Sequence, residues 1–161
     1  MLRDALRGAA AGAVGTFALD VTTYLDMAVR GRASSETPAE IAGKVAQTAG
    51  IDLAAGSQGP DDQRAQTAEH RKTGIGALLG YATGLGVGAL YGVLRPRVNV
   101  PAALLGVAAG MTAMAASDVP AITIAGSDPK SWGASGWLAD IVPHLIYGLF
   151  TALTFEALRD D

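Results

Sequence analysis

Residues Thr73–Leu94 read TGIGALLGYATGLGVGALYGVL, an apolar run without a charged side chain. Its glycines recur at every fourth position, at Gly76, Gly80, Gly84, Gly88 and Gly92. In a water-soluble helix each glycine would cost about 0.5–1 kcal/mol relative to alanine. In a bilayer, helices with small residues at the contact approach closely and associate by van der Waals packing. This glycine zipper therefore predicts a membrane-spanning helix that packs tightly against a neighbour.

Three further segments are apolar and long enough to cross a hydrocarbon core of about 30 Å, which takes about 20 helical residues. The four predicted spans are Ala5–Met27, Thr73–Leu94, Pro101–Ile124 and Trp137–Phe155. Half of the 161 residues are hydrophobic and 17% are charged, which fits a single integral membrane domain over residues 1–161. We therefore predict an all-α fold, a four-transmembrane-helix bundle. The alternative, a soluble four-helix bundle, needs a Leu/Ile core where the second segment carries glycine.

Residues 28–72 form a polar connection between the first two predicted spans. Within it, Thr37-Pro38-Ala39-Glu40 has the form of a capping box with proline at the first helical position. We predict a short helix there, followed by a turn and by a polar helix over residues 63–72 that leads directly into the second span.

The first and third spans carry the same motif. ALxGxAAG begins at Ala5 and again at Ala103, and Asp-Val follows both copies at the same offset, at Asp20 and Asp118. Alanine and glycine matches are common in this composition, so the Asp-Val coincidence carries most of the weight. Two interpretations stay open: a chance match, or a duplicated helical hairpin whose copies are related by an axis along the membrane normal.

Small residues four apart also occur in these two spans, as Gly8 and Gly12 in the first and as Gly106 and Gly110 in the third. We predict that the small-residue faces of all spans meet one another and leave Leu, Ile and Val towards lipid. We also predict that the chain self-associates through the Gly76–Gly92 face.

Ionisable side chains fall inside the predicted spans at a common depth. Counted along the helices, Asp20, Tyr81, Asp118 and His144 all lie about 10 Å below the same membrane face, and Asp140 precedes His144 by one turn. A carboxylate in hydrocarbon costs several kcal/mol unless it pairs, meets water or takes up a proton. We therefore predict one inward cluster of these five residues. It is either a proton or cation relay with coupled titrations or a set of fixed hydrogen bonds between helices.

Composition argues against several other functions. The chain has no cysteine, which excludes disulfides, thiolate metal sites and cysteine nucleophiles. With His70 and His144 as its two histidines, a multi-histidine metal or haem site is not expected. We predict no cofactor, no metal, no catalytic residue and no enzyme activity. A net charge of −3 without a Lys/Arg block argues against a nucleic-acid partner.

Two motifs of the C-terminal half are DVP at Asp118–Pro120 and WxxDxxPHxxYG at Trp137–Gly148. They resemble small bacterial membrane proteins of unknown function, the YagU-like inner-membrane group. The resemblance implies a location in the bacterial plasma membrane and transfers no activity.

The orientation in the membrane follows from the charged connections. Five basic residues lie on the side of both termini and seven on the other side, a count that opposes cytoplasmic termini. Seven acidic residues accompany those seven basic residues, however, and we predict that both termini are cytoplasmic.

Two hypotheses on function belong to different classes. The first is proton or small-cation translocation through the Asp/His cluster. The second is a non-catalytic scaffold or accessory subunit of a larger membrane complex, which packs through the glycine-rich helix faces. The predicted partners are the lipid bilayer and either a second copy of the chain or another membrane protein.

Overall fold

Five α-helices follow one another within residues 1–160, which the structure, a computed structural model, describes with the exception of the Asp160 side chain. They are α1 Leu2–Arg30, α2 Thr37–Thr48, α3 Asp61–Leu94, α4 Ala102–Pro120 and α5 Gly133–Asp160. A π-helical turn over Ala121–Ala125 extends α4, and short 3-10 turns occupy Arg95–Arg97 and Pro129–Ser131. No strand occurs in these residues, so the predicted all-α fold class is confirmed.

Three helical segments are long and apolar enough to cross a membrane, judged by length and composition. They are Asp61–Arg97, Ala102–Ala125 and Gly133–Arg159. Helix α1, the first of the four predicted spans, is not among the segments found in the described chain. Its apolar stretch is interrupted by the charged residues Arg7 and Asp20, which lower its hydropathy.

Small residues fill the interior of the bundle, and large apolar residues cover its outside. Most of the buried hydrophobic residues are alanines, such as Ala11 and Ala113. By contrast, Phe17, Leu78 and Leu104 are 67%, 69% and 62% exposed. A water-soluble bundle buries side chains of this kind, so the distribution is consistent with a membrane protein.

The helices are arranged with α1 between α3 and α5, and α5 between α1 and α4. Helices α1 and α4 therefore occupy opposite corners of the bundle. Helix α2 lies across α3 and the π-helical turn at one end. It begins at Thr37, one residue before the predicted first helical position, Pro38, and its N-cap is Glu36, so the predicted capping box is not formed. The Thr37 N–H group donates instead to the Ser35 hydroxyl.

The two helical hairpins, α1 with α3 and α4 with α5, approach too closely to admit a Cβ atom. A Cβ on Gly88 would lie 2.5 Å from the Gly8 carbonyl oxygen and 2.6 Å from the Gly12 Cα. In the second hairpin, a Cβ on Gly148 would lie 2.8 Å from the Gly110 backbone nitrogen. Glycine is therefore required at these contacts, which also involve Gly84 and Gly92 in α3 and Gly106 in α4.

The glycine row of α3 is largely covered within the chain. Gly84, Gly88 and Gly92 face α1, and Gly76 lies against the Pro38 backbone of α2. A Cβ on Gly80 would meet nothing within 4 Å. Most of the Gly76–Gly92 face is therefore not open to a second copy, because α1 and α2 already occupy it, and self-association stays a prediction.

Candidate functional site

Two residues one turn apart on α5 form the centre of the candidate site. The His144 Nδ1 atom lies 2.8 Å from the Asp140 carbonyl oxygen and 3.1 Å from the Asp140 Oδ1 atom. Both neighbours are hydrogen-bond acceptors, so Nδ1 carries a hydrogen and donates it. The side chains of His144 and Asp140 are only 12% and 21% exposed. The imidazole is thus held in one orientation by the residue that precedes it by one turn.

A second carboxyl group completes the cluster. Asp118, near the C-terminal end of α4, places a second carboxyl close to that of Asp140. The Asp140 Oδ2 atom is buried and has no hydrogen-bond partner among the described residues. Two carboxylates this close do not both ionise easily, and a proton shared between them would satisfy Oδ2. We refer to Asp118, Asp140 and His144 as the α4–α5 cluster.

Proline residues lie within both helices beside this cluster. Pro120 is the last residue of α4, where the helix continues into the π-helical turn, and Pro143 is buried in α5. Proline has no N–H group, so the carbonyls of Ala116 and Ala139, four residues earlier, lose their helical partners. Short π-helical segments frequently occur at functional sites. Each proline therefore frees a backbone acceptor close to a cluster carboxyl.

Asp20 and Tyr81 lie apart from the α4–α5 cluster. The Tyr81 hydroxyl donates a hydrogen bond of 3.1 Å to Asp20 Oδ2, and Tyr81 is 48% exposed. Within residues 1–160, no hydrogen bond or ion pair joins this pair to Asp118, Asp140 or His144. The prediction of one five-residue cluster was therefore wrong. Asp20 is on α1 and Asp118 on α4, which occupy opposite corners, so an equal depth does not bring them together.

The bundle interior contains hydroxyl groups that the sequence did not single out. Tyr147 is fully buried, and its hydroxyl donates a hydrogen bond of 2.6 Å to the Gly84 carbonyl of α3. Thr151, also fully buried, has no hydrogen-bond partner for Oγ1 among the described residues. The sequence did carry a signal for these two residues: Tyr147 and Thr151 follow His144 at spacings of three and then four, so all three lie on one helix face. The sequence analysis followed a strict spacing of four, which leads to Gly148 and Ala152 instead.

The opposite end of the bundle carries an ion-pair network. The Arg95 Nε atom lies 2.7 Å from Glu156 Oε1, and an Arg159 guanidinium nitrogen lies 2.8 Å from Glu156 Oε2. The Arg95 and Glu156 side chains are 16% and 26% exposed. Tyr91 faces this pair from α3 and packs edge-on against Phe155, with ring centroids 5.5 Å apart.

By these features the protein belongs to the class of all-helical proteins that have membrane-length helices and ionisable groups in the interior. No protein-family model matches the chain, and no curated protein or solved structure shows significant similarity to it. The YagU-like resemblance therefore stays a prediction. Within the described residues, no group of three or more His, Cys, Asp or Glu side chains is arranged to hold a metal ion.

Proposed function

We propose that the chain is a four-span membrane protein that moves protons or small cations through the α4–α5 cluster. The observation that supports this most directly is the unpartnered Asp140 Oδ2 atom, which lies beside a second carboxyl inside membrane-length helices. Ionisable groups are costly at such depth and commonly mark ion or proton paths. The resemblance noted above suggests the bacterial plasma membrane as the location.

The proposed fourth span is α1. It runs antiparallel to α3 along the whole hairpin, from Asp4 beside Gly92 to Asp20 beside Tyr81. Its outward residues between Leu6 and Leu25 are apolar and exposed. This face is about 28 Å long at the helical rise, close to the thickness of a hydrocarbon core. A helix packed on two spans over that length crosses the bilayer with them.

Cysteine labelling tests this topology in a chain that has no cysteine of its own. In intact cells, a membrane-impermeant maleimide should label Gln58→Cys and should not label Leu2→Cys or Asn99→Cys, because the proposal places both termini in the cytoplasm. Lysed cells, in which all three should react, are the control. Labelling of Leu2→Cys together with Gln58→Cys would mean that α1 does not cross.

We also propose that the two hairpins are repeats of each other. The repeated motif places Gly8 and Gly12 in α1 at the positions of Gly106 and Gly110 in α4. In the first hairpin Gly8 and Gly12 surround Gly88, and in the second Gly106 and Gly110 surround Gly148. The shared register of the close contacts supports duplication more strongly than the sequence match does.

The cluster works in this proposal as a proton-sharing site. The Asp118 and Asp140 carboxyls hold one proton between them, and His144 donates from Nδ1 to Asp140 whether or not its ring is charged. Loss or gain of the shared proton changes the charge next to the imidazole.

Asp118→Asn should abolish ion flux, because an amide cannot share a titrating proton with Asp140. Purified protein in liposomes, with a pH-sensitive dye inside and an imposed pH or potential gradient, measures the flux. Asp20→Asn is the matched control: it lies at a similar predicted depth but outside the cluster, and it should retain the native flux. Absence of flux from the native protein, or equal loss in both variants, would contradict the proposal.

The scaffold hypothesis requires a glycine-rich helix face that is open to a partner, and α3 does not present one. The glycines of α3 whose Cβ positions are open are Gly74, Gly80 and Gly86. Each is six residues from the next, which is a rotation of about 240° around the helix. The three glycines therefore point in three different directions and form no common face. A partner or a second copy would have to bind the apolar outer surface. Recovery of a stoichiometric second protein in mild detergent, with no flux from the pure chain, would favour the scaffold.

A further inference from the structure

A groove lies between α2, the loop that follows α2 and the N-terminal part of α3. The π-helical turn after α4 borders it at Ala125. Its volume is about 550 Å³, which is within the range of small-molecule binding sites. The polar residues that line it are Glu40, Lys44 and Gln47 of α2, Asp52 of the loop and Lys72 of α3.

The walls of the groove are fastened to one another. An Arg71 guanidinium nitrogen of α3 donates hydrogen bonds of 2.8 Å to the carbonyls of Leu53 and Ala55, which ties the loop to α3. On the other side, the methylene groups of Lys72 lie against Gly43 of α2, where a Cβ atom would be 3.1 Å from Lys72 Cε. The groove is therefore a feature of the folded chain that exists before any ligand binds.

The groove lies at the level where two membrane-length segments leave the hydrocarbon. Ala125 is the last residue of the segment Ala102–Ala125, and Lys72 directly precedes the apolar run Thr73–Leu94. Lysine side chains near the ends of spans extend their ammonium groups to the interface. The headgroups of phospholipids occupy this level of a bilayer, so they are the molecules that meet the groove at the highest local concentration.

The groove is lined by charges of both signs that balance. Two acidic residues, Glu40 and Asp52, accompany two lysines, Lys44 and Lys72. Glu40 and Lys44 are four apart on α2, a spacing at which opposite charges often pair, yet no ion pair joins them within residues 1–160. An anion and a cation are therefore available to one ligand. A basic pocket selects anionic headgroups, whereas a balanced groove suits a headgroup that carries both a phosphate and an ammonium group.

We propose that this groove binds the headgroup of an aminophospholipid, phosphatidylethanolamine. The phosphate contacts Lys44 and Lys72, the ammonium group contacts Glu40 and Asp52, and the acyl chains leave past Ala125 into the hydrocarbon. A primary ammonium group has three hydrogen-bond donors for the carboxylates, whereas the trimethylated ammonium of phosphatidylcholine has none. This site is independent of the proposed ion flux.

The experiment titrates the purified, delipidated full-length protein with dioctanoyl phosphatidylethanolamine, phosphatidylglycerol or phosphatidylcholine, and native mass spectrometry counts the bound lipid. The ethanolamine lipid should bind at least about tenfold more tightly than the other two, the effect of one hydrogen bond to a charged group. Lys44→Gln should lower the affinity for the ethanolamine and the glycerol lipid by about tenfold, because both contain the phosphate. Glu40→Gln should lower the affinity for the ethanolamine lipid alone and so remove the preference.

The matched controls are Lys130→Gln and Asp62→Asn, whose side chains are exposed and do not line the groove. Both should bind the ethanolamine lipid as the native protein does. Tighter binding of the glycerol lipid by the native protein, or unchanged affinities in Lys44→Gln and Glu40→Gln, would overturn the proposal. Glycerophosphoethanolamine has the same headgroup without acyl chains and should bind much more weakly. Equal affinity for it would show that the ligand is a soluble phosphate ester and not a lipid.

Discussion

Gly88→Leu is expected to separate α1 from α3 and to cause a large loss of stability. The Cβ atom alone would lie within 2.6 Å of backbone atoms of Gly8 and Gly12, which cannot move aside as a side chain can. Overpacking by one or two methylene groups costs about 1–3 kcal/mol in ordinary cores, and a leucine here adds more. We expect the helical signal in far-UV circular dichroism to be lost at a much lower SDS fraction in mixed micelles.

The matched control for this substitution is two residues away in the same helix. A Cβ on Gly86 would meet nothing within 4 Å, so Gly86→Leu points away from the other helices. Its stability should stay within about 0.5 kcal/mol of the native protein, as for surface substitutions in general. An equal loss in both variants would show that leucine harms α3 for a reason other than its contact with α1.

Glu156→Gln is also expected to destabilise the protein. It leaves Arg95, which is 16% exposed, without its anionic partner at the end of the bundle. Removal of one member of a fully buried ion pair costs about 3–5 kcal/mol. Because Glu156 is 26% exposed, we expect about 2–3 kcal/mol here, after a discount for solvent. The same SDS titration measures it.

Arg159→Gln provides the comparison for Glu156. The Arg159 side chain is 40% exposed and contacts the same carboxylate, so its loss should cost less than about 1 kcal/mol. If Arg159→Gln destabilised the protein as much as Glu156→Gln, the network would act through its total charge. The specific pairing of Arg95 with Glu156 would then not be its basis.

The general fold was predictable because its signals are local in the sequence. Long runs of apolar residues predict the segments that form α3, α4 and α5, and the proline at Pro38 predicts where α2 starts. The four-residue glycine spacing correctly indicated a close helix contact. It did not identify the neighbour, since a bare helix surface fits another helix of the same chain as well as a second copy. Gly88 in fact faces Gly8 and Gly12 of α1.

The candidate site was predictable only in part. Counting residues along a span gives the depth of a side chain in the membrane, but it does not give the neighbouring helix towards which that side chain points. The pairing of Asp140 with His144 followed from their spacing on one helix and is present. The direction in which Asp20 points depends on the arrangement of the helices, which the sequence pattern does not contain. Thr151 was missed for another reason: a threonine in an apolar helix normally bonds the preceding turn, and only packing shows that Oγ1 has no partner.

The main-chain contact between α1 and α3 also determines which parts of the interior have conformational freedom. Glycine has no rotamers, so Gly8, Gly12 and Gly88 come together without the loss of side-chain entropy that contacts between larger residues require. The helix framework is therefore fixed by the backbone. The rotameric side chains inside the bundle are a few larger buried residues, such as Tyr91, Met114 and Phe155.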